Sequence, residues 1–409
     1  MFYIICIVLN LVLCVYGSNE LYKGYQVYNI HIKTEEQQDN FHMLKSDMID
    51  FWRKPSFKLN ITGQAMVPPS HFTWFEDQLE ALGVEKQVII EDVYEYLSQS
   101  EVTQRNTKNT EFNYEGFYRY DKILDHMQTI ENTYESSTEI DAKLVIGGQT
   151  DEGRPLVYLR ITNYSNTSKP VIIIEGGIIP REWITVPAVL NMVDKVIEDR
   201  NFLDNFVWIF VPVVNPDGYE YTHTNLRFWT KSRSLRSDLG QICPGVNINR
   251  NFDIDWSISD SSSSPCSHLY AGIAPFSEPE SRFIRSLLEE YGRNIQLYIS
   301  LQNTGGFISY PWQYEKAASG MFRQHYFLAN DMVEAIGEDY KADVGSLAYG
   351  DRQSGTSSDY FSINEILYAF NIDIAPRGDN GVVFAVSEIR DVIDKVWRAV
   401  EVAVDSFIQ

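Results

Sequence analysis

The chain has 409 residues, 44% of them hydrophobic, with 34 Lys and Arg against 56 Asp and Glu, which gives a formal net charge of −22. A chain of this length and composition buries a large core and is expected to fold into more than one domain. Its acidity argues against nucleic acid or an anionic membrane as a partner, because both would repel it.

The first residues have the pattern of a secretory signal. An apolar run extends from Phe2 to Val15, and the small residue Gly17 stands where a signal peptidase would cut. The run is too short to cross a membrane comfortably. We therefore predict a signal peptide over residues 1–17, a secreted protein and no membrane partner. Secretion also fits three potential glycosylation acceptors, Asn60, Asn163 and Asn166.

The four cysteines fit the same compartment. Cys6 and Cys14 would leave with the signal peptide, whereas Cys243 and Cys266 would remain as a pair suited to one disulfide. Two free, buried thiols are the alternative.

Residues 18–105 are predicted to form a small α+β unit that ends in a connector. Apolar spacing predicts strands at 21–32, 57–62 and 86–91 and helices at 35–51 and 73–82. Residues 98–113 are polar and have almost no apolar anchors, so we expect an exposed connector there. A trypsin-like cut at Arg105 or Lys108 would be a maturation step.

Residues 106–409 are predicted to form an α/β domain. Continuous apolar runs bounded by turn residues predict strands covered on both faces at 171–175, 206–214, 295–301 and 367–374. Helical spacing predicts helices at 183–197, 278–291 and 387–407. A sheet of this kind places its ligand site at the carboxyl ends of its strands.

Several longer motifs follow one another along this part of the chain. They are GGIIPREW at 176–183, NPDGY at 215–219, GVNINRNF at 245–252, PFSEPE at 275–280 and SGTSSDY at 354–360. In this order they resemble the secreted zinc carboxypeptidases of the pancreatic A/B type, over essentially the whole chain after the signal. The N-terminal part, with IDFW at 49–52, is similar to that family's activation segment.

The resemblance implies a fold and a cross-link. The fold is a mixed, largely parallel eight-stranded sheet with helices on both faces, preceded by a small α+β, ferredoxin-like pro-domain. The cross-link is a disulfide between Cys243 and Cys266, which fall where the family's bridge lies.

The metal site of such an enzyme is incomplete in this sequence. The family holds zinc with a His and a Glu three residues apart and with a second His at the end of a later strand, leaving one position for water. The resemblance places Ile179, Glu182 and Gln302 at these positions, so only the Glu is retained. An amide is a poor zinc ligand beside imidazole, and we therefore predict that zinc is absent. The remaining histidines of this domain lie off the motifs and are expected to be surface or core residues: His126, His223, His268 and His325.

Two further catalytic positions are changed. The family's general base is a Glu, and the aligned residue is Asp373, which is shorter by one methylene and would sit out of place. The arginine that faces the developing oxyanion is replaced by Thr230, which carries no charge. An Asp held by backbone donors, without a catalytic role, is the alternative interpretation of Asp373.

The groups that bind the substrate are better preserved. By resemblance, Asn249 and Arg250 would hold the peptide's C-terminal carboxylate, and Arg181 would bind further out, since the planar guanidinium suits a carboxylate. Pairing of Arg250 with a local acid is the alternative. Ser358 stands at the position that sets side-chain specificity and indicates neither strong preference. No residue is assigned to the family's substrate-capping tyrosine, because Tyr349 lies two residues upstream of the aligned position, where Asp351 stands.

Three functions remain open from the sequence. The first is a secreted, zymogen-like homologue that is catalytically inactive but still binds peptide or protein C-termini. The second is an active zinc carboxypeptidase with a rearranged metal shell. The third is a secreted structural or partner-binding protein that uses the outer surface of the fold.

Overall fold

The structure, a computed structural model, describes residues 19–44, 47–104, 112–164, 169–303, 305–374 and 383–408. The predicted signal peptide, the cleavage candidates Arg105 and Lys108, and the acceptor Asn166 lie outside these ranges. None of the helices in these ranges is long and apolar enough to span a membrane.

The N-terminal unit contains a four-stranded antiparallel sheet. Its strands are β1 (Gln26–His31), β2 (Asp50–Arg53), β3 (Gly63–Val67) and β4 (Glu85–Ile90). Their order in the sheet is β2-β3-β1-β4, and every pairing is antiparallel. The helices are α1 (Glu35–His42), α2 (Phe72–Ala81) and α3 (Val93–Gln104). The βαββαβ order confirms the predicted ferredoxin-like arrangement. Side chains such as Phe41 and Phe75 from α1 and α2 pack on one face of the sheet.

Three local predictions in this unit are wrong. The helix predicted over 35–51 ends at His42, and residues 50–53 form β2, whose alternating burial turns Asp50 and Trp52 inward. The strand predicted over 57–62 is a turn closed by a bridge between Ser56 and Ile61, and β3 begins only after it. The connector predicted from residue 98 is helical as far as Gln104. In the first two cases strand pairing overrode the local pattern.

The C-terminal unit contains the predicted eight-stranded mixed sheet. Its order is β11-β10-β12-β9-β7-β8-β6-β5. The central pairings β12-β9, β9-β7 and β7-β8 are parallel. The strands are β5 (Asp141–Gln149), β6 (Pro155–Thr162), β7 (Val171–Glu175), β8 (Val207–Val211), β9 (Ile295–Gln302), β10 (Phe307–Tyr310), β11 (Lys341–Val344) and β12 (Tyr368–Asp373). The four strands predicted from sequence are these four central strands.

Helices cover both faces of this sheet. Those of the larger face are α4 (Tyr120–Tyr134), α5 (Thr185–Glu198), α6 (Arg200–Asn205), α9 (Phe322–Ile336) and α12 (Ile389–Asp405). The opposite face carries α8 (Pro279–Tyr291) and α11 (Ser357–Ile363), and two further helices are α7 (Pro216–Thr224) and α10 (Gly345–Ala348). The predicted disulfide is confirmed, because Cys243 and Cys266 are bonded with their Cα atoms 4.8 Å apart.

A buried carboxyl at the end of β7 makes stability depend on pH. Glu175 is fully buried, and its Oε1 accepts hydrogen bonds from the hydroxyls of Tyr298 (3.0 Å) and Ser357 (3.3 Å). Burial raises the pKa of Glu175 to about 7, although these hydroxyls oppose the shift. A raised acid pKa means that the folded chain holds a proton that the unfolded chain releases, so stability falls as the pH rises from the ordinary Glu value through 7.

We therefore expect Glu175→Gln to gain stability relative to the wild type as the pH rises. From pH 5 to pH 8 the difference in unfolding free energy should grow by roughly 2 kcal/mol, as measured by denaturant titration. The exposed Glu334→Gln is the control for net charge. Parallel pH curves for wild type and Glu175→Gln would contradict the prediction.

Candidate functional site

The candidate site lies where three neighbouring parallel strands end. The pairing of β12 with β9 places Asp373 opposite Gln302, and the pairing of β7 with β9 places Glu175 opposite Ser300. After β7 the chain turns sharply at Gly177, whose φ of 61° lies in the left-handed region that favours glycine. The turn leads through residues 178–183 along the edge of a cleft, at the location predicted for the ligand site.

Glu182 is buried at the base of this cleft. Its Oε2 accepts a hydrogen bond from the backbone N–H of Asn303 at 3.0 Å, and its Oε1 has no hydrogen-bond partner in the described parts of the chain. Burial raises the pKa of Glu182 to about 8, with Arg181 opposing and Asp373 adding to the shift. The surroundings of Glu182 therefore do little to stabilise the charged form of its carboxyl group.

The two positions beside Glu182 supply no imidazole. Ile179 is a hydrocarbon that packs against the core under α8 and α11. Gln302 is buried, and its amide Nε2 donates to Oδ1 of Asn371 at 3.1 Å. Across the described ranges, no three His, Cys, Asp or Glu side chains are gathered closely enough to hold a metal ion. One carboxylate and one amide do not fit a catalytic zinc, which takes three strong ligands.

Gln302 belongs instead to a network of neutral side chains. Asn371 accepts from Gln302 and donates through Nδ2 to Oγ of Ser358 at 3.0 Å. The same Oγ accepts from Nε2 of Gln313 at 2.8 Å. Ser358, the predicted specificity residue, is therefore buried in this network. Sequence reasoning did not identify Asn371 or Gln313, because nothing local to them indicates a shared site.

Asp373 has a hydrogen-bond partner that the sequence left unassigned. The phenolic O–H of Tyr349 donates to Oδ2 of Asp373 at 2.8 Å, and both side chains are buried. Tyr349 therefore lies inside the cleft. Asp351 points to the pro-domain instead, where its carboxylate lies 3.6 Å from Nζ of Lys54.

Thr230, which the resemblance places at the family's oxyanion arginine, borders the cleft. The hydroxyl of Thr230 donates to the backbone carbonyl of His268 at 3.2 Å. The neighbouring Arg227 lies against the ring of Trp183, 3.7 Å from its centre, and donates to the carbonyl of Arg181 at 2.6 Å. Burial lowers the pKa of Arg227 to about 9. Its guanidinium is thus held between the ring of Trp183 and the backbone of Arg181.

Arg250 is paired with an acid of its own domain. Nη2 donates to Oδ2 of Asp260 at 2.6 Å, Nε donates to the backbone carbonyl of Asp260 at 2.7 Å, and Nη1 donates to the carbonyl of Asn249 at 2.8 Å. The local pairing considered as an alternative is therefore the one present in this structure. Asn249 accepts from the backbone of Ser357 through Oδ1, whereas its buried Nδ2 finds no partner among the described residues.

Arg181 is paired with the pro-domain. Its Nη1 donates to Oδ2 of Asp50 at 2.6 Å, and its Nη2 donates to the carbonyl of Phe51 at 3.2 Å. The β2 segment therefore lies across the cleft, which encloses about 640 Å³ including its open mouth. Besides this segment, the lining includes Ile179, Glu182, Arg250, Gln302 and Tyr349.

The four histidines of this domain contact groups other than the Glu182 carboxylate. His126 stacks on Phe112 and His223 on Trp183, with ring centres 3.9 and 4.0 Å apart. His325 is hydrogen-bonded to Ser319 and to the carbonyl of Leu367. His268 borders the cleft, with Nε2 3.8 Å from Oδ1 of Asp50.

Comparison with known proteins identifies the class of this protein. Its two units match a peptidase domain and the activation segment that precedes it. The family description "Zinc carboxypeptidase" matches residues 123–399, and "Carboxypeptidase activation peptide" matches residues 28–100. The chain therefore belongs to the zinc carboxypeptidase family.

Individual relatives agree over nearly the whole length. Carboxypeptidase B of Helicoverpa zea is 32% identical, covering 97% of this chain and 96% of the relative. Carboxypeptidase A1 of Mus musculus is 29% identical, covering 98% of both chains. The crystal structure of carboxypeptidase A from Helicoverpa armigera superposes with a TM-score of 0.86 at 26% identity, over 95% of this chain and 98% of that one.

The Asp50–Arg181 pair should hold the pro-domain on the cleft. Both side chains are largely buried, so Asp50→Asn leaves an uncompensated guanidinium and should cost about 3 kcal/mol at this interface. We expect backbone hydrogen exchange over residues 49–53 and 179–183 to become faster. The control is Glu76→Gln, which breaks the exposed pair with Lys86 and should change exchange in these segments little. Unchanged exchange in Asp50→Asn would show that the pair does not fasten the interface.

Proposed function

We propose that this protein is a secreted, zymogen-like carboxypeptidase homologue that has lost catalytic zinc chemistry and that binds the C-termini of peptides or proteins. The observation that carries the first part is the donor set around Glu182. Ile179 has no lone pair, and Gln302 is engaged with Asn371. Most of the binding free energy for a divalent cation would therefore be missing.

The rest of the reaction machinery supports the same conclusion. The hydroxyl of Thr230 donates its hydrogen bond to a backbone carbonyl. Since this group is also uncharged, it offers no preorganised positive charge to an oxyanion. Asp373 accepts a hydrogen bond from Tyr349, and with no metal-bound water it would have no nucleophile to activate. The metal ligands, the oxyanion position and the general base thus all differ from the family's pattern.

The second part of the proposal rests on Asn249 and Arg250. Arg250 borders the cleft, and a guanidinium in this position suits a carboxylate. Beside it, the buried Nδ2 of Asn249 has no partner in the described structure, although buried donors are normally satisfied. A peptide carboxylate would supply acceptors for both groups. The partners proposed are therefore peptide or protein C-termini, reached in the secretory route that the N-terminal pattern predicts.

Zinc analysis and peptide hydrolysis test the loss of chemistry. The purified chain, before and after limited trypsin treatment, should contain no bound zinc and should not hydrolyse peptides that end in Phe, Leu, Lys or Arg. Stoichiometric zinc with chelator-sensitive turnover that Glu182→Ala abolishes would instead establish an active enzyme with a rearranged metal shell.

Introducing histidines at the two aligned ligand positions should create zinc binding. The double variant Ile179→His/Gln302→His should bind about one zinc ion per chain, because it recreates the three-ligand set with Glu182. The same double variant carrying Glu182→Gln is the control and should bind far less. Equal zinc in the wild type and the double variant, measured after dialysis, would contradict the argument from the donor set.

Peptide-binding measurements test the proposed recognition of C-terminal carboxylates. Free-acid peptides should bind the wild type without turnover, their C-terminal amides should not, and Arg250→Ala should abolish the difference. Binding that is absent, or indifferent to Arg250→Ala, would favour a partner-binding surface elsewhere on the fold.

A further inference from the structure

Two of the three donating nitrogens of Arg250 bond the same residue, Asp260. Of the three nitrogens that donate, Nη2 and Nε both bond Asp260, the first to its carboxylate at 2.6 Å and the second to its backbone carbonyl at 2.7 Å. A carboxylate and a carbonyl are thus presented to the guanidinium together. These are the same acceptor groups that the end of a peptide offers.

Asp260 is well suited to keep this place. Its side chain is 6% exposed, and its other oxygen, Oδ1, accepts from Nζ of Lys54 at 2.5 Å. Burial alone would raise the pKa of Asp260, but Lys54 and Arg250 together hold that pKa well below its usual range. The carboxylate is therefore charged at any pH at which the protein would act.

The backbone at Asp260 is strained to reach this position. Its φ is 44°, in the left-handed region that a residue with a side chain rarely adopts, and Asp255 and Ser257 just before it also have positive φ. The neighbour Ser259 is fixed by hydrogen bonds with Ser354 in both directions. A strained residue persists where its surroundings over-determine it, and such residues concentrate at functional sites.

We propose that Asp260 is an intramolecular ligand of the carboxylate site, which occupies Arg250 in place of a peptide C-terminus and must be displaced before one can bind. This inference rests on the proposed function and adds its regulation. The exclusion is geometric, because Nη2 and Nε of Arg250 cannot bond Asp260 and a second carboxylate in the same way at once. Because Asp260 is tethered in the same chain, its carboxylate competes with a peptide carboxylate for Arg250 at a high effective concentration.

The pro-domain helps to hold Asp260 beside Arg250. Lys54 follows β2 and reaches Asp260 from the pro-domain side, so two cations from different domains hold one carboxylate. Pairing of Asp50 with Arg181 from the same β2 segment means that both arginines proposed to bind a substrate carboxylate are occupied by carboxylates of the chain. Release of the pro-domain would remove Asp50 and Lys54 but leave Asp260 in place.

The test uses the full chain and a small carboxylate that enters the covered cleft. Trifluoroacetate binding is measured by ¹⁹F NMR, with trifluoroacetamide as the uncharged probe. Asp260→Asn keeps the shape and removes the charge, and it should bind trifluoroacetate at least about tenfold more tightly than the wild type. Asp260→Gly, whose backbone adopts a φ of 44° without strain, is the second variant and should show the same gain.

Two controls separate this effect from others. Asp253→Asn removes the same charge from an exposed position in the same segment and should give no gain. Adding Arg250→Ala to Asp260→Asn should abolish the gain. Equal gains in Asp253→Asn and Asp260→Asn, a gain that survives Arg250→Ala, or no gain in either Asp260 variant would each overturn the inference.

The outcomes also distinguish the inference from the proposed function. If the wild type binds free-acid peptides through Arg250 and neither Asp260 variant binds more tightly, the proposed function stands and the intramolecular ligand is refuted. If the Asp260 variants bind trifluoroacetate through Arg250 but no variant binds free-acid peptides, the intramolecular ligand stands and C-terminal recognition is refuted.

Discussion

A guanidinium removed from water needs an anion beside it, and the cleft of this protein depends on that requirement twice. Arg181 and Arg250 are both almost completely buried. Asp50 balances the first and Asp260 the second. Asp50 comes from the pro-domain and lies 131 residues from Arg181 along the chain, whereas Asp260 lies only 10 residues from Arg250, inside the segment closed by the disulfide. The first pairing therefore holds β2 across the cleft, and the second holds the loop that carries Asp260 beside it.

The floor of the cleft is organised differently from its walls. The ends of β9 and β12 are joined by neutral amides and a hydroxyl, in the network of Gln302, Asn371 and Ser358. The amide donors of Gln302 and Asn371 find acceptors within this network, so these contacts between the strand ends form without a cation. Glu182 is the remaining member of the family's metal set, and it lies beside this network with one oxygen unpaired in the described structure. The scaffold of the zinc carboxypeptidases is thus present here around a different set of side chains.

The accuracy of the sequence-based predictions varied with how local each feature is. The four central strands were identified because they are buried on both faces and therefore continuously apolar. The four outer strands β5, β6, β10 and β11 were not identified. The edge strands β5 and β11 are partly exposed and lack that pattern, whereas β10 is buried but only four residues long. Around the site, Glu182 and Arg250 from the ordered motifs both border the cleft, but the motifs could not show that Tyr349 would reach Asp373. That contact depends on how α10 packs beside β10.

The amino-acid sequence by itself determined the family, the central sheet, the disulfide and which residues stand at the positions aligned with the family's zinc ligands. These properties are encoded in apolar runs and in motifs that can be identified one segment at a time. Only the tertiary structure decided which charges meet. In the unfolded chain, the carboxylates of Asp50 and Asp260 could approach many arginines. They pair with Arg181 and Arg250 because folding packs the pro-domain and the loop against the cleft, where water is excluded.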